Sequence, residues 1–166
     1  TDNLGCTGTA IAIVVDLTGP TALIDGFTDA TCFGLCDGNA SVSVTGGMMP
    51  YTYSWTPNPA SGQGTSTISG LCAGIYTVDV IDFNGCSNST FVTISQPTAV
   101  SLSQTLSVNT SGAGVCDGQA AVVASGGSGT YTYTWYNTCA ATTINASISG
   151  SNATGLCAGS YAVIAT

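Results

Sequence analysis

The sequence predicts an all-β protein built from two tandem immunoglobulin-like (PKD-like) β-sandwich repeats. Short segments rich in Thr, Val, Ile and Tyr alternate apolar and polar residues, which is typical of strands that bury one face. Turn signals such as Gly-Gly, Asn-Pro, Asp-Gly and Asn-Gly separate these segments, and no stretch shows a convincing helical period. A third observation is an internal repeat. About seven short strands in roughly 80 residues, with an aromatic residue on a central strand, is the pattern of an immunoglobulin-like sandwich.

The two repeats align over most of their length. LCDGNASVSVTGG (35–47) matches VCDGQAAVVASGG (115–127), and PYTYSW (50–55) matches TYTYTW (130–135), both at an offset of 80 residues. GLCAGIY (70–76) then matches GLCAGSY (155–161) at an offset of 85. The second repeat therefore has five extra residues between Trp135 and Gly155, and Cys139 lies among them.

The strands of the first repeat are predicted in the order ASVSVTG, YTYSW, STIS, IYTVDVID and STFVTIS. Between the last two, DFNGC (82–86) predicts a tight hairpin, because Asn-Gly accepts the positive φ angles of such turns. The aromatic residues of YTYSW and YTYTW alternate, so each set faces one side of its strand. These are Tyr51, Tyr53 and Trp55, and Tyr131, Tyr133 and Trp135. We interpret both sets as core packing in preference to a ligand platform.

The start of the chain reads as the missing end of the second repeat. Gly70 to Cys86 is 16 positions, and Gly155 to Cys6 is 17 when Thr1 is counted after Thr166. Cys86 to Cys116 is 30 positions, as is Cys6 to Cys36. The sequence therefore predicts one period of a head-to-tail series. Residues 1–24 are expected to complete the second repeat of the preceding unit, 25–98 to form the first sandwich, and 99–166 to form the second.

Composition excludes several classes of function. The chain has eight acidic residues, all Asp, and no Lys, Arg or His, so its net charge is -8. Without a cation no side chain can neutralise a phosphate, which argues against nucleic-acid binding. No apolar run is long enough for membrane insertion. Nucleophilic catalysis lacks a His or Lys base, and we do not expect an enzyme. Eight cysteines without His favour disulfides in an oxidising, extracellular compartment over zinc.

The repeat phrases resemble the SprB-type repeat of large cell-surface adhesins in gliding Bacteroidota. TCFGLCDGNASVSVTGGMMPYTYSWT, GLCAGIYTVDV and IDFNGC carry the whole pattern of that family in the first repeat. The second repeat departs from it at Gly112, where the first has Cys32, and at Thr130, which replaces Pro50. The resemblance implies an extracellular sandwich repeat in a long surface filament or adhesin. It does not by itself imply gliding. Apart from the possible calcium ion considered below, we expect no cofactor.

Repeat symmetry suggests how the cysteines pair. The matched cysteines of the two repeats predict the disulfides Cys36–Cys72 and Cys116–Cys157. The two remaining family-type cysteines of the first repeat would then form Cys32–Cys86. Cys6 and Cys139 are left, and we predict a bond between them in which Cys6 comes from a neighbouring unit. Eight cysteines allow 105 pairings, so all four bonds are hypotheses.

Other polar residues allow weaker predictions. Asp37 and Asp117 lie at turn signals and could bind calcium, although turn formation explains them better. Five sequons make surface glycosylation an expectation: Asn39, Asn88, Asn109, Asn145 and Asn152. The loop GGMMPY places Met48 and Met49 where an exposed pair would form an adaptable contact.

Two classes of function follow from these features. The first is a structural or adhesive unit of a surface filament whose partners are copies of itself, either as one long polypeptide or as subunits that exchange the N-terminal strand. The second is a carbohydrate- or protein-binding module. In that case Trp55, Trp135 or the methionine loop would contact a surface glycan or a protein.

Overall fold

The chain is all-β, as the sequence predicts. The computed structural model describes residues 3–5, 7–13, 18–138, 142–143 and 147–166, and all regular structure in these ranges is β-strand. No described helix is long and apolar enough to cross a membrane. The strands of the first repeat are β1 (Pro20–Thr28), β2 (Gly38–Gly46), β3 (Thr52–Thr56), β4 (Thr67–Leu71), β5 (Gly74–Ile81) and β6 (Ser87–Ile94). Those of the second are β7 (Thr98–Val108), β8 (Gly118–Gly127), β9 (Tyr133–Asn137), β10 (Thr142–Thr143), β11 (Ser147–Ser149), β12 (Asn152–Leu156) and β13 (Tyr161–Ala165).

The chain folds into two compact units. The first comprises residues 1–27, 40–69 and 75–92, and the second comprises 28–39, 70–74 and 93–166. Strand β1 begins at Pro20, inside the segment 1–24, so the last five residues of that segment lie beside β2.

The first repeat has two three-stranded sheets, with strand orders β1-β2-β4 and β3-β5-β6. Both sheets supply buried apolar side chains, as expected for a sandwich with one inner face per sheet. In the second sheet β3 pairs antiparallel with β5, which places Trp55 opposite Val78. The buried set is Ala22, Ala40, Val42, Trp55, Ile68, Leu71, Tyr76, Val78, Val80, Val92 and Ile94.

The second repeat also has two sheets, with orders β11-β12-β8-β7 and β10-β9-β13. Its buried cluster is Trp135, Ala153 and Leu156, which come from both sheets. Partly buried apolar residues pack against this cluster, namely Ala120, Val122, Tyr161 and Val163. The second repeat is therefore a sandwich on the same plan as the first, with a smaller fully buried core.

The two tryptophans of the alternating aromatic sets pack in the cores, as predicted. Trp55 is 1% exposed and Trp135 is 3% exposed. Each indole N–H donates to a backbone carbonyl at the matching position of its repeat. Trp55 Nε1 lies 2.9 Å from the oxygen of Thr65, and Trp135 Nε1 lies 3.2 Å from that of Gly150. Such a bond satisfies the polar edge of a buried indole.

The predicted hairpin at 82–86 is present and is organised by a buried carboxylate. Asp82 Oδ1 accepts hydrogen bonds from the N–H groups of Asn84 at 3.0 Å and Cys86 at 2.8 Å. Its Oδ2 accepts from the N–H of Met48 at 3.0 Å. Gly85 has a φ angle of 84°, which favours glycine. One side chain thus closes the turn and ties it to the loop that follows β2.

Candidate functional site

Two disulfides link matched positions of the two repeats. Cys36 is bonded to Cys72, and Cys116 is bonded to Cys157, as repeat symmetry predicts. Each bond joins the segment before an inner strand, β2 or β8, to the end of the strand that pairs with it, β4 or β12. The bonds therefore fix the same end of each sandwich.

The predicted Cys32–Cys86 bond is wrong, because both side chains are unpaired thiols. Cys86 immediately precedes β6, whereas the turn that contains Cys32 is held beyond the other end of that strand. There Gly34 N–H donates to Gln96 Oε1 at 2.7 Å. The eight residues of β6 span about 26 Å at ~3.3 Å per residue. A disulfide requires Cα atoms within about 7 Å, so these two cysteines cannot meet.

The predicted Cys6–Cys139 bond lies outside the described residues. Its two cysteines occur in the N-terminal segment and in the five-residue insert of the second repeat. The bond stays a prediction.

The second repeat has an open edge where the first is closed. In the first repeat β5 lies between β3 and β6. In the second, β13 corresponds to β5 and pairs with β9, and among the described strands it is the last of its sheet. The side chains show the effect. Val78 and Val80 are fully buried, whereas their counterparts Val163 and Ala165 are only half-buried.

A groove runs along this open edge. Two adjoining cavities of about 370 and 300 Å³ form it, and they share Ser107, Ala120, Gly159 and Tyr161 as lining residues. The larger cavity reaches Trp135, and the smaller reaches Leu156, so the groove opens onto the core of the second repeat. Leu102, Val122 and Val163 supply its apolar walls. We call this feature the β13 groove.

The described part of the N-terminal segment contains exposed apolar residues. Residues 7–13 form no strand. Ile11 is 90% exposed and Ile13 is 82% exposed, which is unusual for two β-branched residues two positions apart. Their spacing is that of neighbouring side chains on one face of a strand.

The predicted methionine contact lies on an apolar tip of the first unit. Met48 and Met49 are exposed, and Phe83 of the adjacent hairpin is exposed beside them. Phe83 N–H donates to the carbonyl oxygen of Met48 at 2.9 Å. The Asp82 carboxylate braces both loops, so these three apolar side chains are presented on a fixed backbone.

The electrostatics at Asp82 are set by its surroundings. Burial by itself raises the pKa of this carboxyl, but hydrogen bonds from the backbone N–H groups of Met48, Cys86 and Asn84 outweigh it. The pKa of Asp82 therefore lies below its ordinary value of 3.8.

Asp37 and Asp117 act as turn caps. Asp37 accepts from the Thr31 hydroxyl at 2.5 Å and from the Thr31 N–H at 2.9 Å, and these two bonds lower its pKa. Asp117 accepts hydrogen bonds from the Ser111 hydroxyl and from the Ser111 N–H, the latter at 2.9 Å, and these bonds lower its pKa. Within the described residues, no three His, Cys, Asp or Glu side chains cluster as metal ligands would.

The sequon asparagines have different surroundings. Asn39, Asn109 and Asn152 are exposed. Asn88 is half-buried on β6, and its Oδ1 accepts from the N–H of Ala22 at 3.0 Å, so this side chain is already used within the fold. Asn145 lies outside the described residues. Glycosylation itself stays a prediction.

Several residues of interest were not singled out from the sequence. The walls of the β13 groove, Leu102, Tyr161 and Val163, read as ordinary core positions because their counterparts in the first repeat are core positions. Phe83 was treated only as part of a turn. A position-by-position alignment of the repeats contains the signal for the groove, since β6 has no counterpart among the described strands of the second repeat.

Comparison with known protein families matches two stretches of the chain. A family model described as the SprB repeat matches residues 26–60 and again residues 105–139. In whole or in part, the two matches cover β1, β2 and β3 of the first repeat and β7, β8 and β9 of the second. Among curated proteins no match is found.

Proposed function

The chain carries two repeats of the SprB family, and on that premise we propose that it is a structural or adhesive unit of an extracellular bacterial surface filament, with units assembled head to tail. One observation supports assembly above all. The two repeats share one plan, yet the first is closed by β6 and the second leaves the β13 groove open onto its core. An uncovered apolar edge favours association with another strand.

The composition suits this role. With a net charge of -8 and no Lys or Arg, the surface offers no site to trypsin-type proteases. The disulfides Cys36–Cys72 and Cys116–Cys157 restrict the unfolded chain in an oxidising environment. Together these features stabilise a unit that is exposed outside the cell.

Surface location can be tested directly. An antibody raised against this chain, applied to intact cells of the bacterium that makes it, should decorate surface filaments in electron micrographs. Labelling that requires permeabilised cells would contradict the proposal. A cytoplasmic protein labelled in parallel checks that the cells are intact.

Denaturing electrophoresis of the native material distinguishes two forms of assembly. A ladder that collapses to about 16.4 kDa on reduction supports separate subunits that are linked by disulfides. A very large band that survives reduction supports one continuous polypeptide of many units. A soluble 16.4 kDa monomer without reductant argues against head-to-tail assembly.

A binding module is the second candidate function, and the apolar tip favours it. Met48, Met49 and Phe83 are exposed together on braced loops, and flexible methionine side chains adapt to varied partners. Both tryptophans are buried, so of the contact residues predicted from the sequence only the methionines of the tip are exposed. Replacing Met49 with Asp should abolish adhesion of the purified chain to host or bacterial glycan surfaces. Ile75→Asp, at another exposed apolar position, is the matched control.

A further inference from the structure

We propose that the β13 groove of one copy is filled by residues 7–13 of a second copy, which add to β13 as an antiparallel strand. The inference rests on the proposed head-to-tail assembly and specifies the contact that produces it. In the first repeat, β6 occupies the corresponding place beside β5. The groove in the second repeat is thus the site of a strand that the fold requires and that its own described residues do not supply.

The shape of the groove matches what β6 covers in the first repeat. There Ile94 packs so closely on Gly38 that a Cβ added to this glycine would lie 2.9 Å from the isoleucine. The counterpart of Gly38 is Gly118, which lines the smaller cavity together with Leu156. Ala22 lies under β6 and is buried, whereas the residue at the matching position, Leu102, is 37% exposed and lines the larger cavity. The groove therefore follows the path of β6.

Sequence position identifies the occupant. Val92 and Ile94 of β6 point into the core of the first repeat. They lie 22 and 24 positions after Gly70. Counted from Gly155, with Thr1 following Thr166, positions 22 and 24 are Ile11 and Ile13, whereas counting from the hairpin cysteine, Cys6 in place of Cys86, gives Ala12 and Val14. The count therefore locates the donor segment to within one residue, and Ile11 and Ile13 are the β-branched residues that this segment exposes in the single chain.

Register decides which face of the segment enters the groove. With Ile11 and Ile13 inward, the small residues Ala10 and Ala12 face outward. A slip of one residue would reverse the two faces and place only alanines against Trp135 and Val163. Because the larger cavity measures about 370 Å³, the isoleucine face fills it better. Backbone N–H and C=O groups on the outer side of β13 would pair with the incoming strand.

A two-variant complementation experiment tests this contact in the full chain. Ile11→Asp should leave the groove intact but disable the donor, and Leu102→Asp should disable the groove but leave the donor. The wild-type chain should form oligomers in analytical ultracentrifugation. Each variant alone should be monomeric, and an equal mixture should form dimers of about twice 16.4 kDa. Oligomers of Ile11→Asp, or no dimers in the mixture, would overturn the inference.

Matched controls keep the result interpretable. Ala10→Asp tests the register, because this variant should still assemble. If Ala10→Asp assembles as poorly as Ile11→Asp, the assigned face is wrong. Val123→Asp, on β8 and 51% exposed, is the control for Leu102→Asp. Folding is checked by the near-ultraviolet signal of Trp135. Ile11 is outside both cores, so Ile11→Asp remains informative even if Leu102→Asp is misfolded.

A peptide measures the contact without oligomerisation. A fluorescent peptide of residues 3–18 with Cys6→Ser should bind the Ile11→Asp chain. The same peptide carrying Ile11→Asp as well should bind that chain on the order of 100-fold more weakly. Equal affinity of the two peptides would overturn the inference. If the peptide fails to bind while antibody still decorates intact cells, strand insertion is wrong and the proposed surface location stands.

Discussion

The two repeats differ most in what lies beside β5 and β13, and the consequences spread through each core. In the first repeat β6 lies beside β5, and Tyr76, Val78 and Val80 are buried. In the second, the same positions of β13 are half-buried, although both tryptophans remain buried. A sandwich of this size therefore retains its central packing without the edge strand but loses burial along one whole side.

Substituting Asp for matched valines should show the largest contrast. Val78→Asp places a carboxylate in a fully buried site and should destabilise the protein by about 4 kcal/mol or more. In the Ile11→Asp background, in which the groove stays open, water reaches the carboxylate of Val163→Asp, and this change should cost about 1 kcal/mol. Chemical denaturation followed by near-ultraviolet circular dichroism measures both. Equal losses would mean that the second repeat is as closed as the first.

The matched disulfides should contribute similar stability to the two repeats. Cys36–Cys72 and Cys116–Cys157 close loops with sequence separations of 36 and 41. The chain-entropy treatment gives each about 4 kcal/mol. We expect Cys36→Ala/Cys72→Ala and Cys116→Ala/Cys157→Ala to lower the free energy of unfolding by amounts within about 1 kcal/mol of each other. A much larger loss in the second repeat would show that its bond compensates for the open edge.

Acid should weaken the first hairpin through Asp82. Its pKa is lowered in the folded chain, so its stabilising contribution is complete above the unfolded value near 3.8 and is lost as the pH falls toward the folded value. Asp82→Asn should therefore flatten the dependence of stability on pH below about 4, relative to wild type. Thermal unfolding at a series of pH values checks this. An unchanged slope would assign the acid sensitivity to Asp37 and Asp117, whose pKa values are also lowered.

The unpaired cysteines should have the smallest effect. Cys32 is exposed and Cys86 is partly buried, so a thiol reagent should label Cys32 first in the native protein. Cys32→Ser should change the free energy of unfolding by less than about 0.5 kcal/mol. Peptide mapping provides the decisive observation, because a linked Cys32–Cys86 peptide would contradict the separation of these residues along β6.

Much of the fold could be predicted from local patterns. Alternation identified the strands, Asn-Gly identified the 82–86 hairpin, and repeat symmetry paired Cys36 with Cys72 and Cys116 with Cys157. Each of these rests on short-range geometry or on comparison of two copies, both of which are visible in one sequence. Burial of Trp55 and Trp135 followed from the same alternation.

The sequence by itself determined the all-β class, the repeat plan and the two matched disulfides. Tertiary structure alone decided that Cys32 and Cys86 lie at opposite ends of β6, that Asp82 braces the methionine loop, and that β13 leaves a groove lined by Leu102, Tyr161 and Val163. The physical reason is that alternation specifies which face of a strand is apolar but not which strand covers that face. Covering depends on sheet order, and sheet order depends on contacts between residues far apart in the chain.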